Sequence, residues 1–290
     1  MKIITEEILR LDIENRLKNI LFYKNCNENT LEWGMNYIMF SSSKRVRPLL
    51  LLEANLAFSG INHDAYLLAS AVELIHTYSL VHDDLPCMDD DELRRGIKTL
   101  HVIRDEAYAL LVGDALLTRC FEILAQYKEI QKLSQVLEMV HLKAGVQGMV
   151  RGQFLDMSGE GKNLGIEQIN RINLLKTAAL LQLPMMLGAL NGGAEDHEIR
   201  QIEKLGEVFG QMFQLQDDIL DITGDRQILG KNTGSDEKNM KSSVPLILGL
   251  EESRARLNQH REKALKLVEI LPSNQDFFYR FIDFLVNRAK

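Results

Sequence analysis

Prolines are scarce in this chain. Five of them interrupt 290 residues, and the stretches between them are rich in Leu, Ala and Glu with almost no alternating Val/Ile/Thr runs. A backbone so seldom denied its N–H donors can run in long helices, and the residue types favour that choice over strands. Breaks fall near "NCNENT" (25–30), "FSGINHD" (58–64), "SGEGKNLG" (158–165), "NGGAEDHE" (191–198), "TGDRQILGKNTGSDEKN" (223–239) and "LPSNQD" (271–276). The intervals suit helices of roughly 12 to 25 residues. None of the breaks is long enough for an interdomain linker, so the expectation is an all-α fold with a single domain over residues 1–290.

Charge narrows the function classes. Lys and Arg total 34 against 41 Asp and Glu, a net charge of −7, which argues against a broad nucleic-acid surface and leaves room for a local site for an anionic small molecule. Cys26, Cys87 and Cys120 make no CxxC pair and read as reduced thiols of a cytoplasmic protein. The first residues alternate charge and apolar side chains and have no signal-peptide core. The most apolar stretch, "LLKTAALLQLPMMLGAL" (174–190), is interrupted by Lys176, Gln182 and Pro184. It reads as too short to span a bilayer comfortably, so no stable membrane insertion is expected.

The acidic residues are not spread evenly. "LVHDDLPCMDDDELRRG" (80–96) crowds Asp83, Asp84, Asp89, Asp90, Asp91 and Glu92 together and sets Arg94 and Arg95 behind them. Such repulsion needs solvent, a cation or a basic partner to relieve it. Ala71, Leu74, Ile75, Tyr78, Val81 and Leu85 recur at helical spacing, with Asp83 near the helix end and Pro86 disrupting the backbone after it. His76 lies two turns earlier on the same face, about 10.5 Å away. A second cluster, "FQLQDDILD" (213–221), places Gln214, Asp217, Asp218 and Asp221 in one helical stripe. An acidic stripe can be no more than a solvated face, but two in one helical chain point to a hard cation. Magnesium uses one or two carboxylates and completes its octahedron with water and phosphate oxygens, which implies a phosphorylated substrate.

Cations are placed to match. Lys44, Arg45 and Arg47 precede Pro48, which reads as the first position of a helix, and a helix N-terminus flanked by cations is an anion site. Basic residues at a helix boundary are an equally good account of the same pattern. Lys176-Thr177 sits in an apolar helix, where the lysine either serves a site or snorkels to solvent. Lys231 and Lys241 lie on a glycine-bearing segment that could close over an anion.

"DDLPCMDDDELRRG" and "FQLQDDILD" resemble the two aspartate-rich motifs of the trans-isoprenyl diphosphate synthases. "SKRVRP", "AVELIHTYSLVHDDLP", "LLVGDALL", "GMVRGQFLDM", "LLKTAAL", "LGKNTGSD" and "VPLILGLEESR" extend the likeness in family order across nearly the whole chain. The resemblance implies the isoprenoid synthase fold, with about ten or more helices around a central hydrophobic cavity, as a homodimer. It implies head-to-tail joining of isopentenyl diphosphate to an allylic diphosphate through an allylic carbocation, with about three Mg2+ ions per active site. Carried over by motif, Asp83 and Asp89 bind magnesium with Asp84 in support, and Asp217 binds it with Asp218 and Asp221. Arg94, Lys176, Thr177, Gln214, Lys231 and Lys241 hold the allylic diphosphate; Lys44, Arg47, His76 and Arg95 hold isopentenyl diphosphate.

Product length is read from the residues before the first motif. Pro86-Cys87 inside the motif, with Tyr78 and Ser79 ahead of Asp83, resembles bacterial farnesyl diphosphate synthases and implies a C15 product. Ordinary core packing also accounts for Tyr78. The alternatives are a geranylgeranyl diphosphate synthase, a class I terpene cyclase and a non-catalytic prenyl synthase subunit. The retained Lys44, Arg47, His76 and Arg95 argue against the cyclase, and two complete aspartate motifs argue against the subunit. The chain departs from the family at Ser42-Ser43, where two glycines are usual. It departs again at Arg151, where a small residue is common, and at Lys98, where proline is common.

Overall fold

The computed structural model describes residues 2–223 and 243–288, with side chains from residue 9 onward. Lys231 and Lys241 lie outside the described residues. The chain divides into two compact units, Met1–Leu52 with Ile61–Leu133, and Glu53–Gly60 with Ser134–Lys290.

The first unit is built on α4 (His63–Asp83) packed along α6 (Glu106–Leu124), with α1 (Lys2–Leu21) against α4 and α2 (Leu31–Met39) against both α4 and α6. Two of the breaks read from the sequence supply caps, Thr30 and Asn62, and a third cap, Asp105, stands at a helix start that the sequence did not mark. Thr30 Oγ1 accepts from the Trp33 amide, Asn62 Oδ1 from Ala65 and Asp105 Oδ1 from Tyr108, each satisfying an otherwise orphan donor. Leu67, Leu68, Leu74 and Ile75 of α4 are fully buried, as are Leu50, Leu51 and Leu52 of α3 (Val46–Leu56). Pro48 is not the first residue of α3. The helix starts at Val46, so Pro48 is the third, still within the first turn where its missing N–H breaks no bond.

One short hairpin qualifies the all-α expectation. β1 (Leu93–Arg94) pairs antiparallel with β2 (Ile97–Lys98), Arg94 opposite Ile97. The two linking residues have φ of 53° at Arg95 and 81° at Gly96, the left-handed pair that a tight primed turn requires. A four-residue α5 (Leu100–Ile103) follows.

The second unit centres on α10 (Ala179–Gly192) against α11 (Asp196–Thr223), with α13 (Leu250–Glu269) and α14 (Gln275–Asn287) on α11. α7 (Ile130–Ala144), α8 (Met149–Gly159), α9 (Ile166–Asn173) and the five-residue α12 (Val244–Leu248) complete it. Phe209 of α11 stacks on Phe278 and meets Phe281 edge-on at 5.1 Å, which fixes α14 in place. The apolar stretch is longer than its sequence suggested. Pro184 sits inside α10, and the helix runs unbroken from Ile166 to Gly192 through a π-turn at Leu174–Ala178. Its length and composition would suit a membrane span, but 72% of the apolar window is buried inside the fold, as in a core helix.

Candidate active site

In the first unit the site residues lie on a part-exposed stripe of α4, a helix otherwise largely buried. His76, Ser79 and Asp83 recur on it at helical spacing, and Ser79 Oγ donates to the His76 carbonyl at 2.9 Å. Helix α4 ends at Asp83, and a turn through Pro86 and Cys87 reverses the chain. The Met88 amide donates to Leu85 O at 2.8 Å and the Asp89 amide to Asp83 O at 2.9 Å. The two inserted residues therefore return Asp89 onto the helix end beside Asp83.

Asp84 points elsewhere. It is 2% exposed and receives Arg94 Nε at 2.6 Å, with Arg94 Nη2 on the same oxygen and also facing Asp91. Burial pushes the Asp84 carboxyl up, and the guanidinium opposes that push. Arg95, in the primed turn that follows, is exposed.

Arg47 Nη1 lies 3.0 Å from His76 Nε2. An arginine can only donate, so Nε2 is the acceptor and the proton sits on Nδ1. Burial, and then the charges of Arg47, Arg95, Arg94 and Arg45, hold His76 well below its usual range. Burial also lowers Arg47 to about 10, and its Nε has no hydrogen-bond partner among the described residues. A guanidinium whose Nε is buried without a partner among the described residues, beside a neutral histidine, makes this a candidate anion site.

Arg45 is different from its neighbours. It is 3% exposed and bonds Glu73 and Glu14, each at 2.7 Å, so it braces α3 against α4 and is not available to a ligand. Ser43 Oγ accepts from the Arg45 amide at 3.3 Å, so this departure from the usual glycine serves the local backbone. Exposed Arg151 donates to the Val146 carbonyl, and the Lys98 carbonyl accepts from Tyr37.

Tyr78 is 8% exposed, with its ring edge on His82, whose Nε2 donates to the Leu110 carbonyl. Burial, with Asp83 nearby, raises the phenol to about 12.

In the second unit Lys176 and Thr177 occupy the π-turn, a conformation concentrated at functional positions. Glycines make room for it. A Cβ on Gly152 would lie 2.1 Å from the Lys176 amide nitrogen, and one on Gly210 would lie 2.3 Å from the Ala178 Cα. Lys176 Nζ pairs with Asp156 at 2.6 Å. Thr177 Oγ1 donates to Gln214 Oε1 and Gln214 Nε2 donates to Asp218 Oδ1, both at 2.9 Å. The Val244 amide reaches Asp218 Oδ2 at 3.4 Å. Asp218 is 5% exposed, so it is not part of a solvated stripe, whereas Asp221 is exposed. Asp217, half-exposed, pairs with Arg288 at 2.7 Å.

The sequence assigned no role to Asp156, Glu73 or Arg288. Asp156 lies within the "GMVRGQFLDM" motif and could have been found from it. Glu73 and Arg288 had no sequence signal, because only the packing of distant elements gives them their partners.

The donor set suits magnesium. The candidate ligands are carboxylates with no histidine or thiol among them, the choice of a hard cation. Among the described residues no three His, Cys, Asp or Glu side chains gather closely enough to hold a metal alone.

Comparison with known proteins agrees with this chemistry. The polyprenyl synthetase family model matches residues 28–273. The farnesyl diphosphate synthase of Bacillus subtilis is 37% identical over 95% of this chain and 94% of its own. A heterodimeric geranylgeranyl pyrophosphate synthase large subunit of Arabidopsis thaliana is 45% identical over 76% of this chain and 62% of its own. The crystal structure of a Helicobacter pylori geranyltransferase complexed with magnesium and isoprenyl diphosphate superposes with a TM-score of 0.85 at 32% identity, covering 99% of this chain and 96% of that one. This chain belongs to the polyprenyl synthetase family and is a prenyltransferase with the all-α isoprenoid synthase fold.

Proposed function

We propose that the protein is a farnesyl diphosphate synthase, joining isopentenyl diphosphate head to tail to dimethylallyl and then geranyl diphosphate. The observation that carries the reading is the arrangement along α4. His76, held against Arg47 of α3, lies seven residues before Asp83 on one part-exposed face of α4, and Tyr78 is buried between them in sequence. One rigid helix thus carries both a member of the anion set and a carboxylate, which is what holding two diphosphates in register needs.

Arg47, His76, Lys44 and Arg95 hold isopentenyl diphosphate; His76, neutral, donates from Nδ1, and Arg47 Nε meets a phosphate oxygen. Lys176, Thr177, Gln214 and Arg94 hold the allylic diphosphate, with Lys231 and Lys241 assigned to it by motif alone. Magnesium would be held by Asp83 and Asp89 with Asp84 in support, and by Asp217 with Asp218 and Asp221, and when bound it neutralises the departing diphosphate. The allylic carbon–oxygen bond breaks with its electrons on the diphosphate. The isopentenyl double bond attacks the allylic cation, and the released diphosphate takes the final proton. Asp84 supports the site by fixing Arg94, in keeping with its burial on that guanidinium.

The C15 length rests on Tyr78, about 7.5 Å of helix rise before Asp83, with His82 against its ring and Ser79 beside it. The similarity to a geranylgeranyl synthase subunit keeps C20 as the second reading. The homodimer is supported by exposed Leu110, Leu111 and Phe121 along α6, an apolar face that a second copy would cover.

The test is incubation of the purified protein with magnesium, isopentenyl diphosphate and either dimethylallyl or geranyl diphosphate, followed by dephosphorylation and product identification. Farnesol is expected. Geranylgeraniol would overturn the length, and no elongation would overturn the function.

A further inference from the structure

Arg288 follows α14 and returns to α11. Its side chain is 4% exposed, and Nη2 contacts Asp217 Oδ1 and the Phe213 carbonyl. The guanidinium carbon stands 4.0 Å over the Phe213 ring, and Gln216 Nε2 donates to the Arg288 carbonyl at 3.3 Å. We propose that Arg288 is a positioning residue that occupies Asp217 in the metal-free protein and is released when a divalent cation binds there. The proposal rests on the reading of Asp217 as a metal ligand.

Two features support exchange over a permanent pair. First, Asp217, Asp218 and Asp221 crowd one helix face, and Arg288 supplies a positive charge to that face where a metal ion would supply two. A divalent ion on Asp217 would stand against a buried guanidinium, where like charges repel far more strongly than in water. Second, the guanidinium is imperfectly satisfied. Its Nε is buried with no hydrogen-bond partner among the described residues. Release to solvent would satisfy that donor, so the pair is held by Asp217's need for a cation and is given up when a better one arrives.

The experiment is Mn2+ binding to the full chain in the presence of inorganic diphosphate, read from the electron paramagnetic resonance of free Mn2+. Arg288→Met should tighten Mn2+ binding at least threefold, with Arg288→Lys between it and the unmodified protein. Equal or weaker binding by a folded Arg288→Met would overturn the exchange, and Asp217→Asn tells which premise failed. If Asp217→Asn weakens binding tenfold or more while Arg288→Met does not tighten it, Asp217 is a ligand and the exchange is wrong. If Asp217→Asn changes nothing, the metal reading of Asp217 falls, and the exchange falls with it. A measurement on the unmodified protein does not depend on variant folding. The Arg288 Nε–H resonance should shift and exchange faster with water when Mg2+ and diphosphate are added; an unmoved signal at saturation would overturn the proposal.

Discussion

Arg47 Nη1 and His76 Nε2 stand 3.0 Å apart, a contact that requires a neutral imidazole. The sign of its pH dependence follows. His76 stays neutral in the folded protein well below 6.5, while the unfolded chain takes up its proton near 6.5. Below that pH the unfolded state binds more protons, so stability falls on acidification by at most one proton's worth, about 1.4 kcal/mol per pH unit. Urea unfolding at pH 7.5 and 5.5 should show a larger loss for the unmodified protein than for His76→Gln.

On the proposed C15 reading, Tyr78→Ala should lengthen the product towards C20, because the ring is buried five residues before Asp83. The lost ring costs about 3 kcal/mol of stability, so product analysis belongs at a temperature where the variant is shown folded by circular dichroism. A folded, active variant still making only farnesyl diphosphate would sink the assignment.

Gly152→Ala should destabilise the second unit by about 1–3 kcal/mol and raise the KM for the allylic substrate. The new Cβ would lie 2.1 Å from the Lys176 backbone nitrogen, which cannot yield as a side-chain tip would. Gly60→Ala is the control, since nothing lies within 4 Å of its Cβ position; its melting temperature should hardly move.

Asp84→Asn should cost about 3 kcal/mol, because it removes the charge partner of a largely buried Arg94. Asp91 faces the same guanidinium from a side chain 50% exposed, and Asp91→Asn should change stability by no more than about 0.5 kcal/mol. Denaturant titration of the two variants side by side checks the contrast.

Residues that act through their immediate neighbours were legible before the fold was known. Thr30 and Asn62 cap the helices that follow two of the breaks, and Asp83 ends α4 where Pro86 approaches, whereas Asp105 caps a helix that no sequence break announced. The polar order of α11 was legible in outline only. Gln214, Asp217, Asp218 and Asp221 lie along one side of the helix, yet the side chain of Val244's unit neighbour Asp218 is buried while Asp221 is exposed.

The sequence by itself determined the helical class, the two aspartate motifs and the break in the backbone at Pro86, because each depends on spacing within a few residues. Tertiary structure decided that Arg45 braces Glu14 and Glu73 while Arg47 meets His76. It also decided that Lys176 sits in a π-turn against Asp156, and that Arg288 holds Asp217. Those pairings join residues 20 to 71 positions apart in the cases of Lys176 and Arg288. Their partners are set by where helices cross and how closely glycines let them approach, and no local pattern encodes a crossing.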